Sequence, residues 1–196
     1  MKPKLVLCEG KDDKAVVEGL LVHLKIESQV SVESIDSRDN LGNYLRALTQ
    51  KPEFVRQEVE SLGIILDADD DSGGNWRRIV EHVRNAFKVV LLAPASKVGN
   101  KPGIAGILVP ADGRPGMLET VCLETVRSER EYGCFEEYVS CVERVAGREL
   151  HPKAKFRAWM ASQPTYDFLI REAAWKNLLP WDHEAFESLR VFLRLL

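Results

Sequence analysis

The sequence predicts an α/β protein in which a mostly parallel sheet is flanked by helices and followed by a helical C-terminal extension. In the first half, short apolar runs alternate with segments whose apolar residues recur at helical spacing. From Met117 onward the spacing is helical. The chain has 196 residues, 45% of them hydrophobic, which is enough to bury a substantial core. We expect an α/β core over residues 1–127 and the helical extension, packed on that core, over residues 128–196.

The strands of the core are predicted from apolar runs that end at charged or turn-forming residues. They cover residues 4–8, 30–36, 63–66 and 103–110.

Helical periodicity fills the intervals between these strands. The predicted helices cover residues 12–25, 41–48 and 75–87, with a weaker pattern over 54–62. In the extension they cover residues 117–126, 130–147, 152–163 and 183–196. The run 89–93 fits either a strand or a buried connector, and residues 96–103 are a loop by composition.

Composition bounds the class of protein. The net charge of −3 gives no general attraction to nucleic acid, so a polyanion would have to be held by a local basic patch or by bound metal. No apolar run is long enough to span a bilayer, and the N-terminus does not resemble a signal peptide, so we expect a cytoplasmic protein with no membrane partner. The four cysteines lack CxxC spacing, which favours reduced structural thiols.

Two acidic loops follow predicted strands. Glu9 comes directly after the first strand in "LVLCEGKDD", and Asp67 ends the third in "IILDADDD". Ligand sites of open α/β sheets gather beyond the carboxyl ends of the strands, so the two loops should converge.

Carboxylates brought together in this way disfavour one another's ionisation unless a cation lies between them. Oxygen ligands without nearby histidine or cysteine select Mg²⁺ or Mn²⁺ rather than zinc. Asp67 and Asp69 are two residues apart, so in extended backbone they face the same side and can share an ion. Asp71 can reach the same ion, whereas Asp70 is expected to point to water.

A simpler interpretation of the aspartate loop is also open. Aspartate, serine and glycine are typical of any surface turn or helix N-cap, and "DDDSGGN" could be a capped loop before the helix predicted at Asn75. The combination of Glu9-Gly10 after one strand with the DxD pattern after another favours the metal site.

These motifs resemble those of the Toprim domain, which is shared by topoisomerases, bacterial primases, M5-type ribosomal RNA maturases and overcoming-lysogenization-defect nucleases. The "EGxxD" spacing places Glu9 and Asp13 on the first Toprim motif, and Asp67 and Asp69 fall on its DxD motif, with Asp71 a further acidic position. The later segments "GILVPADGRPGMLETVCLETV" and "HPKAKFRAWMAS…PWDHEAF" are similar to the uncharacterised Toprim-like family DUF3226. The resemblance implies a Toprim-like, Rossmann-type fold.

The resemblance also implies a centre for phosphodiester hydrolysis or nucleotidyl transfer on DNA or RNA. Asp67 and Asp69 would hold Mg²⁺ or Mn²⁺, and Asp67 would thereby belong to the catalytic group. Glu9 would be a general acid/base or a metal ligand, and Asp13 a ligand of a second metal or a residue that supports the ligands. Glu119 matches an acidic position of related nucleases, although a glutamate in the first turn of a helix is favoured by the helix dipole in any case.

Nuclease members also use a basic residue near the scissile phosphate. Lys155 and Lys153 in "HPKAKFRAW" are the candidates, with Lys97 and Lys101 as alternatives in a loop. Three further residues beside the aspartate loop could contact nucleic acid, or could pair with acidic groups and pack: Trp76, Arg77 and Arg78.

The chain lacks the parts that accompany Toprim in larger relatives, including the GxxxxGK[ST] loop of an ATPase. Two hypotheses remain. The chain is a small Mg²⁺- or Mn²⁺-dependent nuclease, or it is a non-catalytic module that binds metal, nucleotide or a separately encoded partner protein.

Two other α/β classes fit less well. A haloacid-dehalogenase-like phosphatase has its DxD after the first core strand, which would leave Glu9-Gly10 unexplained. In a response-regulator receiver the acidic pair comes directly after the first strand, whereas Asp12 and Asp13 come later here.

Overall fold

A computed structural model describes residues 2–163 and 169–196 of the chain. These residues contain one four-stranded sheet of order β2-β1-β3-β4, in which every neighbouring pair is parallel. Its strands are β1 (Lys4–Cys8), β2 (Val30–Ser34), β3 (Ser61–Asp67) and β4 (Gly103–Val109). The predicted α/β fold with a parallel sheet and helical flanks is confirmed.

Helices cover both faces of the sheet. On one face lie α2 (Leu41–Leu48), α3 (Pro52–Val55) and α4 (Ser72–Phe87), which share a buried apolar cluster with Leu5 and Leu7 of β1. On the other face α1 (Lys11–His23) shares a cluster with Val6 and Cys8. Successive side chains of β1 alternate between the two clusters because neighbouring residues of a strand point to opposite faces. The hydrophobic core is therefore two layers, one on each side of the sheet.

The C-terminal helices complete the α1 side. They are α5 (Leu118–Glu124), α6 (Tyr132–Ala146), α7 (Pro152–Ala161), α8 (Ile170–Trp175) and α9 (Glu187–Leu195). Their buried apolar side chains belong to the same cluster as those of α1. The last residue reaches β3, where the Ser61 hydroxyl donates a hydrogen bond to the Leu196 carbonyl at 2.6 Å. The boundary at residue 127 stays a prediction.

The weak helical prediction over residues 54–62 is wrong for most of its length. Gln57 adopts a left-handed backbone conformation (φ 55°) just after α3, which interrupts helical geometry. Residues 58–60 belong to no helix or strand, and the Glu60 amide donates to the Pro3 carbonyl at 2.7 Å. β3 then starts at Ser61, two residues before the predicted start.

The remaining boundaries agree with the predictions to within a few residues, and the choice left open for residues 89–93 is decided in favour of a connector. Residues 89–93 contain neither helix nor strand, and of their side chains Leu91 is buried while Val90 and Leu92 are exposed, as in a connector. α8 had no predicted counterpart. All four cysteines are free, and none of the helices in the described ranges is long and apolar enough to cross a membrane.

Candidate metal centre

The topology creates a crevice at one edge of the sheet. The chain passes from β1 to β2 on one side of β1 and then returns to place β3 on the other side. The carboxyl ends of β1 and β3 therefore flank the point where the strand order reverses, the usual ligand position in open α/β sheets. Glu9 follows β1 directly and Asp67 is the last residue of β3.

Asp67 is the most deeply perturbed acid of this crevice. Its side chain is almost fully buried, and its Oδ1 accepts a hydrogen bond from the Leu118 amide at 3.0 Å. Burial, followed by the negative charges of Asp13, Glu119 and Glu9, raises the pKa of Asp67 to about 9. Carboxylates from the β1–α1 loop, α1, β3 and α5 thus converge on one place.

Asp13 lies in the first turn of α1, where the sequence resemblance put it. The Gly10 amide donates to its Oδ2 at 2.6 Å, which ties the side chain to the β1–α1 loop. Burial raises the pKa of Asp13, although this hydrogen bond and the positive charge of Lys153 act in the opposite direction. Asp13 also contributes to the raised pKa values of Glu9, Asp67 and Glu119, so its charge acts on all three of the other carboxylates.

Glu9 and Glu119 each leave an oxygen without a partner. Among the described residues, Glu9 Oε2 and Glu119 Oε2 are buried and have no hydrogen bond. Burial raises the pKa of both carboxyl groups, opposed by Arg38 at Glu9 and by Lys153 at Glu119. Buried carboxylate oxygens without a partner are costly, and a cation would relieve the cost.

Asp69 does not continue the extended backbone of β3, which ends at Asp67. Its backbone is left-handed (φ 45°) and is fixed by two hydrogen bonds with Gly116, at 2.6 and 3.0 Å. The expectation that extended backbone would turn Asp67 and Asp69 to the same side is wrong for this reason. The Asp69 carboxylate instead forms an ion pair with Arg38, and its charge contributes to the raised pKa of Glu9.

Asp71 has a structural partner of its own. It is the N-cap of α4, and its Oδ1 accepts a hydrogen bond from the Gly74 amide at 2.8 Å. This is the helix-cap interpretation that the sequence left open for the aspartate loop.

The structure separates the two lysines of "HPKAKFRAW". Lys153 Nζ lies 3.9 Å from Glu119 Oε1. Burial opposes charge on this ammonium, but Glu119, Asp13 and Asp67 outweigh burial and raise the pKa of Lys153. Lys155 Nζ lies 2.8 Å from Glu143 of α6. Lys153 is thus the lysine that the fold directs to the carboxylates.

The other basic and aromatic candidates have contacts elsewhere. Lys97 donates to the Leu196 carbonyl at 3.1 Å, by the C-terminus. Arg78 pairs with Asp39 at 3.2 Å rather than with the aspartate loop, and Trp76 packs against the core cluster of α4. Within residues 2–163 and 169–196, no contact of Arg77 or Lys101 supports a role at the crevice.

Sequence reasoning missed two residues that shape the site. Arg38 follows β2, which is the neighbour of β1 in the sheet. Its position in "IDSRDN", a third polar loop that follows a strand, could have indicated that it belongs to the site. Asn75 is buried in the first turns of α4, where its Nδ2 donates to the Ala68 carbonyl at 3.0 Å and the Asp67 carbonyl at 3.4 Å. Asn75 therefore fixes the backbone that carries Asp67.

The residues fit a hard divalent cation by the chemistry of their donors. The crevice offers carboxylate oxygens, two of them buried without partners, and no histidine or thiolate competes among the contacts described above. In the described parts of the chain, however, no three acidic, histidine or cysteine side chains already stand close enough together to enclose an ion.

The fold and the site together define an α/β protein with an acidic cluster at the reversal point of a parallel sheet. The chain belongs to the family described as "Protein of unknown function (DUF3226)", whose model matches residues 3–196. No curated protein matches the sequence significantly.

Two solved structures are similar to the chain at low sequence identity, and the first of them shares its fold. A hypothetical protein from Pyrococcus horikoshii OT3 superposes with a TM-score of 0.70 at 14% identity, over 99% of this chain and 95% of that one. The C-terminal region of the OLD protein of Xanthomonas campestris pv. campestris gives a TM-score of 0.46 at 14% identity, over 100% and 96% of the two chains.

Proposed function

We propose that this protein is a Toprim-like, Mg²⁺- or Mn²⁺-dependent enzyme that acts on phosphodiester bonds of DNA or RNA, most simply as a small nuclease. The observation that carries the proposal is the convergence of Glu9, Asp13, Asp67 and Glu119 at the β1–β3 crevice, with two buried oxygens left unpartnered. Structural carboxylates are normally satisfied by donors, so an unsatisfied cluster in a ligand crevice favours a functional role.

In this proposal Asp67, Asp13 and Glu119 hold the ion, and Asp69 joins them from the Arg38 side. The ion would neutralise phosphate charge and polarise the reacting bond. Asp71, which caps α4, is a weaker ligand candidate because its carboxylate already has a partner.

Glu9 is suited to move a proton. Its raised pKa brings the protonated and ionised forms closer in free energy at neutral pH than they are in an exposed glutamate. Its Oε2 has no hydrogen-bond partner in the described residues, so this oxygen is available to exchange a proton with water or with a leaving group.

Lys153 takes the role that the sequence gave first to Lys155. Its raised pKa keeps the ammonium charged, and its contact with Glu119 places that charge beside the carboxylates. The Lys155 ammonium is paired with Glu143.

A non-catalytic module that binds metal, nucleotide or a separately encoded partner protein is the second candidate. It is favoured by the net charge of −3, and by the need for side chains to rearrange before three of them could enclose an ion in the described regions.

The decisive assay compares the wild type with Glu9→Gln and Asp67→Asn on plasmid and single-stranded substrates with Mn²⁺. We expect Mn²⁺-dependent cleavage by the wild type and a loss of about 100-fold or more in Glu9→Gln, the usual range for removing a proton-transfer group. Asp67→Asn removes a ligand of the ion and should also lose cleavage. Glu137→Gln, an exposed glutamate of α6, is the matched control and should cleave normally.

Cleavage that survives both site substitutions would come from a contaminant and would contradict the catalytic proposal. Mn²⁺ binding without any cleavage would favour the non-catalytic module.

A further inference from the structure

One cation of the protein itself occupies part of the acidic crevice. Arg38, in the 3₁₀ turn Arg38–Asn40 after β2, forms an ion pair with Asp69 in which both side chains are largely shielded from solvent. The same guanidinium lowers the pKa of Glu9 against the effect of burial. Arg38 therefore pairs with one carboxylate assigned to the site and its charge also acts on a second.

Both partners of this ion pair are held by the backbone around them. The turn that carries Arg38 is fixed by the Asn40 side-chain amide, which donates to the Ile35 carbonyl at 3.0 Å. Asp69 is fixed by its two backbone hydrogen bonds with Gly116. The contact is therefore a feature of the folded crevice rather than a loose surface pair.

Nearby, a second arginine–aspartate pair provides a comparison. Arg78 of α4 pairs with Asp39 of the same turn at 3.2 Å, with side-chain exposures of 43% and 81%. The corresponding exposures of Arg38 and Asp69 are 32% and 24%. The two pairs lie in the same region, but only the Arg38 pair uses a carboxylate of the candidate site.

We propose that Arg38 is the cation that a divalent metal ion displaces from Asp69, and that the released guanidinium binds a phosphate of the nucleic-acid substrate. This inference rests on the proposed function. A carboxylate that coordinates a metal ion gives up most of its attraction for a neighbouring arginine, because the two cations repel each other across it. A guanidinium binds phosphate through parallel charge-assisted hydrogen bonds, which a lysine ammonium does not reproduce.

The proposal couples the two ligands. Metal binding frees Arg38 for the phosphate, and phosphate binding withdraws Arg38 from Asp69, so each ligand raises the affinity for the other by the same factor. Arg38 in this way links metal loading to substrate binding.

The first test measures Mn²⁺ binding by calorimetry, without nucleic acid, for the wild type, Arg38→Gln and Arg78→Gln. Arg38→Gln removes the competing cation and should bind Mn²⁺ roughly two- to fivefold more tightly, the range expected for a partly buried ion pair. Arg78→Gln removes the same charge from the same region and should leave the Mn²⁺ affinity unchanged. Circular dichroism of all three proteins checks that the variants fold.

The second test measures the affinity for a phosphorothioate single-stranded oligonucleotide with saturating Mn²⁺. Arg38→Gln should weaken binding roughly tenfold or more, as for loss of a hydrogen bond to a charged group, and Arg78→Gln should weaken it much less. Arg38→Lys should recover only part of the loss.

Equal effects of the two glutamine substitutions would reduce Arg38 to a general electrostatic contribution and overturn the inference. An unchanged Mn²⁺ affinity in Arg38→Gln would also overturn it, while leaving the proposed function intact. Absence of Mn²⁺ binding to the wild type and to both variants is a distinct result, because it contradicts the proposed function as well.

Discussion

Asp67 links the candidate site to the stability of the metal-free chain. Its folded pKa of about 9 lies far above the ordinary value of 3.8, so between these values the folded chain holds a proton that the unfolded chain has lost. The stability from this protonated form is fully present below the ordinary pKa and is lost as the pH rises towards the folded pKa. Burial raises the pKa values of Glu9, Asp13 and Glu119 in the same direction.

We therefore expect the free energy of unfolding, measured by urea denaturation in EDTA, to fall between pH 5 and pH 8. One proton taken up on folding corresponds to a slope of about 1.4 kcal/mol per pH unit. Asp67→Asn should flatten this dependence and be more stable than the wild type at pH 8, since asparagine can still accept the Leu118 hydrogen bond.

Asp70→Asn is the control, because Asp70 is an exposed aspartate of the same loop and should leave the pH dependence unchanged. A wild-type stability that rises from pH 5 to pH 8 would show that the cluster is not desolvated as described.

Site residues at the ends of strands could be predicted from the sequence. Site residues whose position depends on how a helix is rotated about its axis could not. Glu9 and Asp67 follow from two strand ends, because parallel strands must bring their carboxyl ends to one edge. Asp13, in the first turn of α1, was assigned only through the resemblance of "EGxxD" to a Toprim motif. The choice of Lys153 over Lys155 depends on how α7 rotates against α5, which the local sequence does not specify. Arg38 was missed because its partner, Asp69, is 31 residues away.

At the start of α4, substitutions of Asp71 can distinguish a role as helix cap from a role as metal ligand. We expect Asp71→Ala to destabilise the protein by about 1 kcal/mol, because it removes the acceptor of the Gly74 amide, whereas Asp71→Asn should retain the stability. Chemical denaturation at constant pH measures both variants.

Mn²⁺ calorimetry on the asparagine variant then separates the two roles. Unchanged affinity is expected for a residue that only caps the helix. A several-fold loss in Asp71→Asn would restore Asp71 to the ligand set that the sequence predicted.

The elements that could be predicted are those with a strong period and a clear end. α2 matches its predicted range, and β1 does too, since uninterrupted apolar or amphipathic patterns define them. α4 begins at Ser72, three residues before its predicted start, since the Asp71 cap outweighs the low helix propensity of two glycines. The prediction of a helix over residues 54–62 was wrong because this segment contains the end of a short helix, a left-handed residue and the start of a strand. Together these produce one irregular apolar pattern in the sequence.

The arrangement of the layers follows from alternation of strand and helix, but the strand order does not. No local sequence pattern predicts that β3 lies beside β1 rather than beside β2. That choice depends on how each crossover buries its helix against a sheet face. The reversal between β1 and β3 is nonetheless the feature that brings Glu9 and Asp67 to one crevice.

The packing of α9 bears on whether the C-terminal extension is a separate unit. Phe192 is fully buried in the cluster that also contains Val6 of β1, and the Leu196 side chain fills the space beside Gly63, where an added Cβ would lie 2.6 Å from it. Side chains of the extension therefore form part of the core that covers the sheet. A substitution that disrupts the packing of α9 should therefore also destabilise the strands.

We accordingly expect Phe192→Ala to lower the free energy of unfolding by about 3–5 kcal/mol, the range for truncating a buried phenylalanine. Val191→Ala, at a half-exposed position of the same helix, should cost less than about 0.5 kcal/mol. Hydrogen exchange measured by mass spectrometry should show the amides of β1 losing protection together with those of α9 in the Phe192 variant, because one cooperative unit opens as a whole. Loss of protection confined to α9 would instead mean that residues 128–196 open independently of the sheet, and the acidic crevice would then have to be stable without them.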